Sequence, residues 1–330
     1  MVAWELTPQT GAELLRSQGL VSSAASVNVH PLEGGVSSIV LLAEAEGSRF
    51  VLKQPLSRFR VAAEWRVDDR RAFVEHAFAR SMAAHVPPGS LARVRTFLPE
   101  ARVLVFEALP PTFATWKQSL LAGNVDPGLG ARAGRLLASI HAAGEGEDLR
   151  GRFRHPDLFD EQRLDPYFRH AARARPDLAP ALEALVHRFG EREDLVHGDF
   201  SPKNLLTDGD RLVLVDHEVA TRGDAAFDVA FLVSHLVLKA VRRPRDASAL
   251  REAADAFVEA YEQHAPADED GPGRVAAYLG GLLLARVLGK SPVEYLDEAG
   301  QVKASALGER LLKDAAPKWR DAFDHLGSAE

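Results

Sequence analysis

Residues 194–218 read DLVHGDFSPKNLLTDGDRLVLVDHE, two short apolar runs joined by a polar loop and ended by carboxylates. Runs such as LVLV belong in buried strands, yet Asp199, Asn204, Asp216 and Glu218 sit at their tips. A carboxylate taken out of water needs a cation or a set of donors, so the stretch predicts a built site. Asp199 and Asn204 are five residues apart and Asp216 follows twelve residues later. If the second run returns beside the first as a neighbouring strand, the three oxygen-bearing side chains converge on one point. Glu218, two residues past Asp216, then alternates onto the same face as a further ligand, direct or through water. Such oxygen donors suit Mg²⁺, which keeps waters and accepts phosphate oxygens. Asp and Asn are also common turn formers, so the joint spacing carries the inference and no single residue does.

Phosphoryl transfer from a nucleotide asks for metal ligands, a carboxylate that orients and deprotonates the attacking hydroxyl, and a cation on the transferred end. Asp199 suits the base, and Asn204 and Asp216 suit the metal. Such a site also predicts a glycine-containing turn over the phosphates and a lysine on the third strand. The chain supplies PLEGGVSSIV and RFVLKQ upstream. Gly34 and Gly35 let the backbone approach a phosphate, and Ser37 and Ser38 offer hydroxyl donors. Lys53, inside an apolar strand, needs an anion: nucleotide phosphates and a carboxylate on the following helix. Glu75 is the first choice for that carboxylate and Glu64 the second.

The rest of the sequence sets the frame. At 330 residues the chain suits two lobes. A net charge of −7 argues against a nucleic-acid backbone as general partner. The absence of cysteine removes disulfides, thiolate zinc sites and a cysteine nucleophile. MVAWELTPQTGAELLRSQGL lacks a leader pattern, and no window reaches the roughly 18 to 20 apolar residues of a membrane helix, so a cytoplasmic protein without membrane contact is expected. Residues 4–19 predict a helix capped by Thr7. SVNVHPL, SIVLLAEAEG and RFVLKQPL predict a strand meander, residues 68–84 a helix, and LARVRTFL and RVLVFEAL two more strands. That unit ends at Pro110-Pro111, and the remainder reads as mainly helical. The expectation is an α+β chain with a β-rich nucleotide lobe over residues 1–110 and a helical catalytic lobe over 111–330.

The order of Gly turn, strand lysine, helix glutamate, HGDFSPKN and D-x-E, followed by GDAAFDVA, resembles the aminoglycoside phosphotransferase and choline kinase superfamily. The resemblance runs from about Val27 to about Leu296. It implies a bilobal protein-kinase-like fold and an ATP-dependent small-molecule kinase, with Asp199 as base and Asn204 and Asp216 on Mg²⁺. It also implies that Lys53 contacts phosphates, that Asp228 braces the catalytic loop, and that backbone near Phe106, Glu107 and Leu109 holds adenine. VLKQPLSRFRVAAEWRVDDRRAFVEHA, TWKQSLLAGNVD, LFDEQRLDPYF and the D-x-E form further resemble 5-methylthioribose kinases. Those enzymes carry HGDLHTGS in the loop, whereas this chain carries the asparagine of the wider superfamily.

The acceptor is expected to be a small molecule with a hydroxyl, a sugar, amino alcohol or aminoglycoside-like compound, bound by a monomer or homodimer. Arg286 and Lys290 supply either a pocket for an anionic or hydroxyl-rich acceptor or a basic helix end. His197 is expected to be a buried orienter, bonded to the loop or to Asp216. His141 and His217 are expected to pack, and Trp65 and Trp116 suit core or substrate platform equally. Asp224 suits either a site role or a helix cap. A catalytically weak nucleotide-binding pseudokinase or scaffold would show a lost base, lysine or metal ligand, and none is lost here. A protein kinase would need a docking segment after D-x-E, where only VATRG intervenes.

Overall fold

A computed structural model describes residues 5–32, 36–60 and 64–326 of the chain. Helix α1 (Pro8–Ser17) starts at Thr7 as expected: the Thr7 hydroxyl accepts from the Thr10 N–H, and the Thr10 hydroxyl accepts from the Thr7 N–H. Strands β1 (Asn28–Pro31), β2 (Ser38–Ala45) and β3 (Ser48–Pro55) form the meander. After helix α2 (Arg71–Met82), β4 (Val94–Leu98) and β5 (Val103–Glu107) complete an antiparallel sheet in the order β1-β2-β3-β5-β4. Side chains alternate along β3, so Leu52 enters the α1 face with Leu15 and Val103 while Lys53 reaches Glu75 on α2. Helix α2 begins three residues later than residues 68–84 predict, because the Asp68 carboxylate takes the Arg70 N–H in a turn.

A two-residue strand β6 (Ala114–Thr115) leads into the helical part. Its helices are α3 (Trp116–Ala122), α4 (Pro127–Gly144), α5 (Pro156–Phe159), α6 (His170–Ala174), α7 (Ala179–Gly190), α8 (Ala226–Arg242), α9 (Ala247–Glu262), α10 (Gly271–Leu288), α11 (Glu298–Lys313) and α12 (Asp321–Asp324). Residues Asp160–Arg169, between α5 and α6, form a wide π-type turn containing Pro166, which has no N–H to give. Helix α8 is buried almost all round, as its apolar sequence requires, and packs on α9 and α10. Among the described residues no helix is long and apolar enough to cross a membrane.

The 194–218 stretch forms β7 (Asp194–Val196), β8 (Leu205–Thr207) and β9 (Leu212–Leu214), followed by β10 (Thr221–Gly223). Strands β8 and β9 pair as expected, but β7 is not beside them. It pairs with β10 instead, Val196 opposite Thr221. The return strand stops at Leu214, and Asp216 adopts a left-handed backbone with φ +67°. That turn, and not strand alternation, carries Glu218 to its place and sends the chain back to β7. A non-glycine residue in this conformation costs about 1–2 kcal/mol, and such strain gathers at functional sites.

Candidate active site

The loop after β7 is fixed from below by α8. Asp228, fully buried, accepts from the N–H groups of His197 (2.6 Å) and Gly198 (2.8 Å). Gly198 has φ +77°, and a Cβ there would stand 2.8 Å from the Phe159 ring, so only glycine fits. Its carbonyl accepts from Arg163 Nε at 2.7 Å. His197 is the buried orienter the sequence suggests: Nδ1 accepts from the Asp199 N–H, and Nε2 lies 3.0 Å from His217 Nδ1, not at Asp216. His217 stacks on Phe78, and burial pushes both imidazoles below their ordinary range. His141 packs within hydrogen-bond reach of Tyr261 and Asp228. Asp224 accepts from the Ala226 N–H and from Arg274, a helix-start role.

Two charged groups stand above this loop. Asp199 lies 3.2 Å from Arg163 Nη2 and 3.5 Å from Lys203 Nζ. Burial would raise its carboxyl, but Lys203 and Arg163 prevail and hold it below the usual carboxylate range. Asn204 donates from Nδ2 to the Asp199 carbonyl at 2.9 Å, and its own carbonyl accepts from the Val215 N–H, next to Asp216. The second group centres on Lys53, whose ammonium is 2.8 Å from Glu75, 2.5 Å from Asp216 and 3.2 Å from Glu218. Arg71, with no exposed surface, adds a 2.9 Å bond to Glu218 and donates to the carbonyls of Ser37 and Leu56.

Three carboxylates therefore share two cations in a buried place, with ligand oxygens of all three within 4.8 Å of one another. Burial opposes the Lys53 charge, but Asp216, Glu218 and Glu75 raise its pKa well above the ordinary value. Asp216 is held well below its ordinary value, burial being outweighed by Lys53 and Lys203. Glu75 goes the other way: burial, with Asp216 and Glu218, outweighs Lys53 and raises it to about 7.

A cavity of about 720 Å³ joins the two groups, with Ser37, Asp199, Asp216, Glu218 and Trp65 on its wall. Ser38 is buried, and its hydroxyl finds no partner among the described residues. Gly34 and Gly35 lie outside the described residues. Glu64 pairs with Arg66 on the surface and does not reach Lys53. Glu107 and Leu109 line a different cavity of about 590 Å³, and the Leu109 carbonyl accepts from Arg49. Trp116 is core. Arg71, Arg163 and Lys203 are site residues that the sequence pattern did not single out. Lys203 carried a signal, standing one helical turn after Asp199 inside the same loop. The two arginines lie within the segments that resemble 5-methylthioribose kinases, but nothing in their spacing marked them individually.

A match to the phosphotransferase enzyme family extends over residues 28–278 and takes in Lys53, Glu75, Asp199, Asn204, Asp216 and Asp228. The chain is 25% identical over 272 residues to methylthioribose kinase of Bacillus cereus strain G9842, covering 74% of this chain and 68% of that one. The microcompartment-associated aminopropanol kinase superposes with a TM-score of 0.60 at 18% identity, covering 94% of this chain and 99% of that one. For choline kinase LicA from Streptococcus pneumoniae the score is 0.57 at 16% identity, over 92% and 98%. These likenesses give the fold, a protein-kinase-like α+β architecture with an antiparallel sheet and a large helical region. The chain belongs to the phosphotransferase enzyme family.

Proposed function

We propose that the protein transfers the γ-phosphate of ATP to a hydroxyl of a small-molecule acceptor, with residues 1–110 as nucleotide lobe and 111–330 as catalytic and acceptor lobe. The observation that carries this reading is the shared cavity: Asp199 and Asp216 on one wall, with Lys53 bound to both Asp216 and Glu75. The relatives named for methylthioribose, aminopropanol and choline all point to an alcohol acceptor. The cluster of Glu75, Asp216 and Glu218 suits a hard divalent cation, since it is oxygen only and holds one more carboxylate than cations. Asn204 and Asp216, with Glu218, would hold Mg²⁺, which would neutralise phosphate oxygens as they gain charge.

The chain's own residues supply the rest. Asp199, kept ionised by Lys203 and Arg163, accepts the acceptor hydroxyl's hydrogen bond and takes its proton as the new O–P bond forms. A base of low pKa suits a loose transition state, in which the proton leaves late and orientation matters more than basicity. Lys53 keeps Glu75 and exchanges its Asp216 contact for nucleotide phosphate oxygens. Ser37, on the cavity wall, is placed to donate to the same phosphates. Adenine lies near the backbone of Phe106, Glu107 and Leu109.

Asp199→Asn should abolish acceptor-dependent ADP release and leave Mg-ATP binding largely intact. Asp216→Ala should weaken Mg-dependent nucleotide binding. Substantial turnover in the first variant, or an unchanged metal dependence in the second, overturns the assignment.

A further inference from the structure

Apart from the carboxylates around Lys53, the same cavity carries a second set of charges. Helices α3, α8 and α10 and the loop after α10 bring Lys117, Lys239, Arg286 and Lys290 onto its wall. Two carboxylates answer them: Glu294 pairs with Lys117, and Asp165 lies 3.8 Å from Lys290. Among the described residues no carboxylate lies within 4.0 Å of the Lys239 or Arg286 head groups. Lys239 is 0% exposed; its ammonium donates to the His235 carbonyl one turn back at 3.2 Å and stands 5.3 Å from the centre of the Tyr295 ring. Arg286 donates to the hydroxyls of Tyr167 and Ser291, both at 3.2 Å. Its Nε, like the Tyr295 hydroxyl, is buried without a partner.

A fully buried lysine and a half-buried arginine whose direct hydrogen-bond partners are all neutral form an arrangement that a bound anion would complete. Their field is felt nearby: burial, then Lys239 and Arg286, push His235 well below its ordinary range. We propose, resting on the phosphotransfer reading above, that the acceptor is an anionic alcohol, its hydroxyl at Asp199 and its carboxylate or phosphate ester held by Lys239 and Arg286. Lys117 and Lys290, more exposed than Lys239, flank the same group. A quaternary amine or a polyamino sugar meets repulsion on this wall. Single basic residues on apolar helices become a specificity device only where three elements meet.

The test is acceptor-dependent ADP release with gluconate, glycerate and ribose 5-phosphate, set against ribose, methylthioribose, choline and an aminoglycoside. The anionic alcohols are expected to be phosphorylated, and the carboxylate and phosphate arms tell which head group fits. Lys239→Met and Arg286→Met should each raise the KM for the best anion about tenfold or more, with the KM for Mg-ATP unchanged. Calorimetry of the same anion in two buffers of different ionisation heat at about pH 8.5 reads binding without chemistry. Wild type should take up a proton, because burial, Lys117 and Arg286 hold free Lys239 down to about 7 against the weaker pull of Glu294, and Lys239→Met should take up none. The other groups facing Lys239, His235 on its own helix and Tyr295, stay neutral there. Anion binding without ADP release overturns the phosphotransfer reading and keeps the pocket. Phosphorylation of neutral or cationic acceptors with no anion binding overturns the pocket alone.

Discussion

Asp228 ties the catalytic loop to the buried centre of the helical lobe, and its removal has a size that follows from its contacts. One oxygen accepts from the His197 N–H at 2.6 Å and the other from the Gly198 N–H at 2.8 Å, in a place with no exposed surface. Asp228→Ala strands both donors, and each buried unsatisfied group costs about 1–3 kcal/mol, so the loss is about 2–6 kcal/mol. The upper end rivals a typical total stability of about 5–15 kcal/mol, so the gentler variant is the more informative one. Asp228→Asn keeps one acceptor oxygen and presents an NH₂ to the other N–H, which strands one donor and lowers stability by about 1–3 kcal/mol. It also frees Asp199, one residue beyond Gly198, to shift, and a displacement near 1 Å costs about a hundredfold in rate. Urea unfolding should therefore show a lower midpoint at unchanged m-value. Below the transition, kcat should fall about 10- to 100-fold with the KM for Mg-ATP little changed. An Asp228→Asn protein with wild-type midpoint and wild-type kcat would refute the bracing argument.

Three other outcomes follow from the same structure. Arg71→Met leaves Glu218 with Lys53 as its one cation and should lower unfolding free energy by about 3 kcal/mol or more; an unchanged urea midpoint would contradict this. Gly198→Ala should cost at least the left-handed penalty of about 1–2 kcal/mol and reduce kcat, since the new methyl also meets Phe159; wild-type activity and stability together would show that the loop tolerates a Cβ. The buried ammonium of Lys239 makes stability depend on pH. Its pKa falls from 10.5 in the unfolded chain to about 7 in the fold, so the unfolded state holds the extra proton between those values and stability rises with pH across that window. The slope is at most about 1.4 kcal/mol per pH unit, and Lys239→Met should flatten it; identical pH profiles for the two proteins would argue against the buried charge.

Much of the molecule is written locally in its sequence. The Thr7 cap, the strand meander, the apolar helix α8 and the order of lysine, glutamate and HGDFSPKN each depend on neighbours a few residues away, so a short window suffices to read them. Lys53 inside an apolar strand demanded an anion, and a kinase-type site put that anion on the following helix with Glu75 ahead of Glu64, the choice the fold makes. What the windows did not contain is the choice among equivalent partners. The sequence pattern put the LVLV run beside β7, and the left-handed turn at Asp216 gave β7 the partner β10 instead. Glu218 reached Arg71 by that same turn, across 147 residues of sequence. Arg163 and Lys239 look alone like surface or snorkelling residues, and Arg286 reads equally as a pocket residue or a basic helix end, because a single charge on a helix costs little when its tip reaches water. Only the packing of α8 and α10 against the π-type segment buries Lys239 and brings these charges to one cavity wall, and long-range packing of this kind has no local signature.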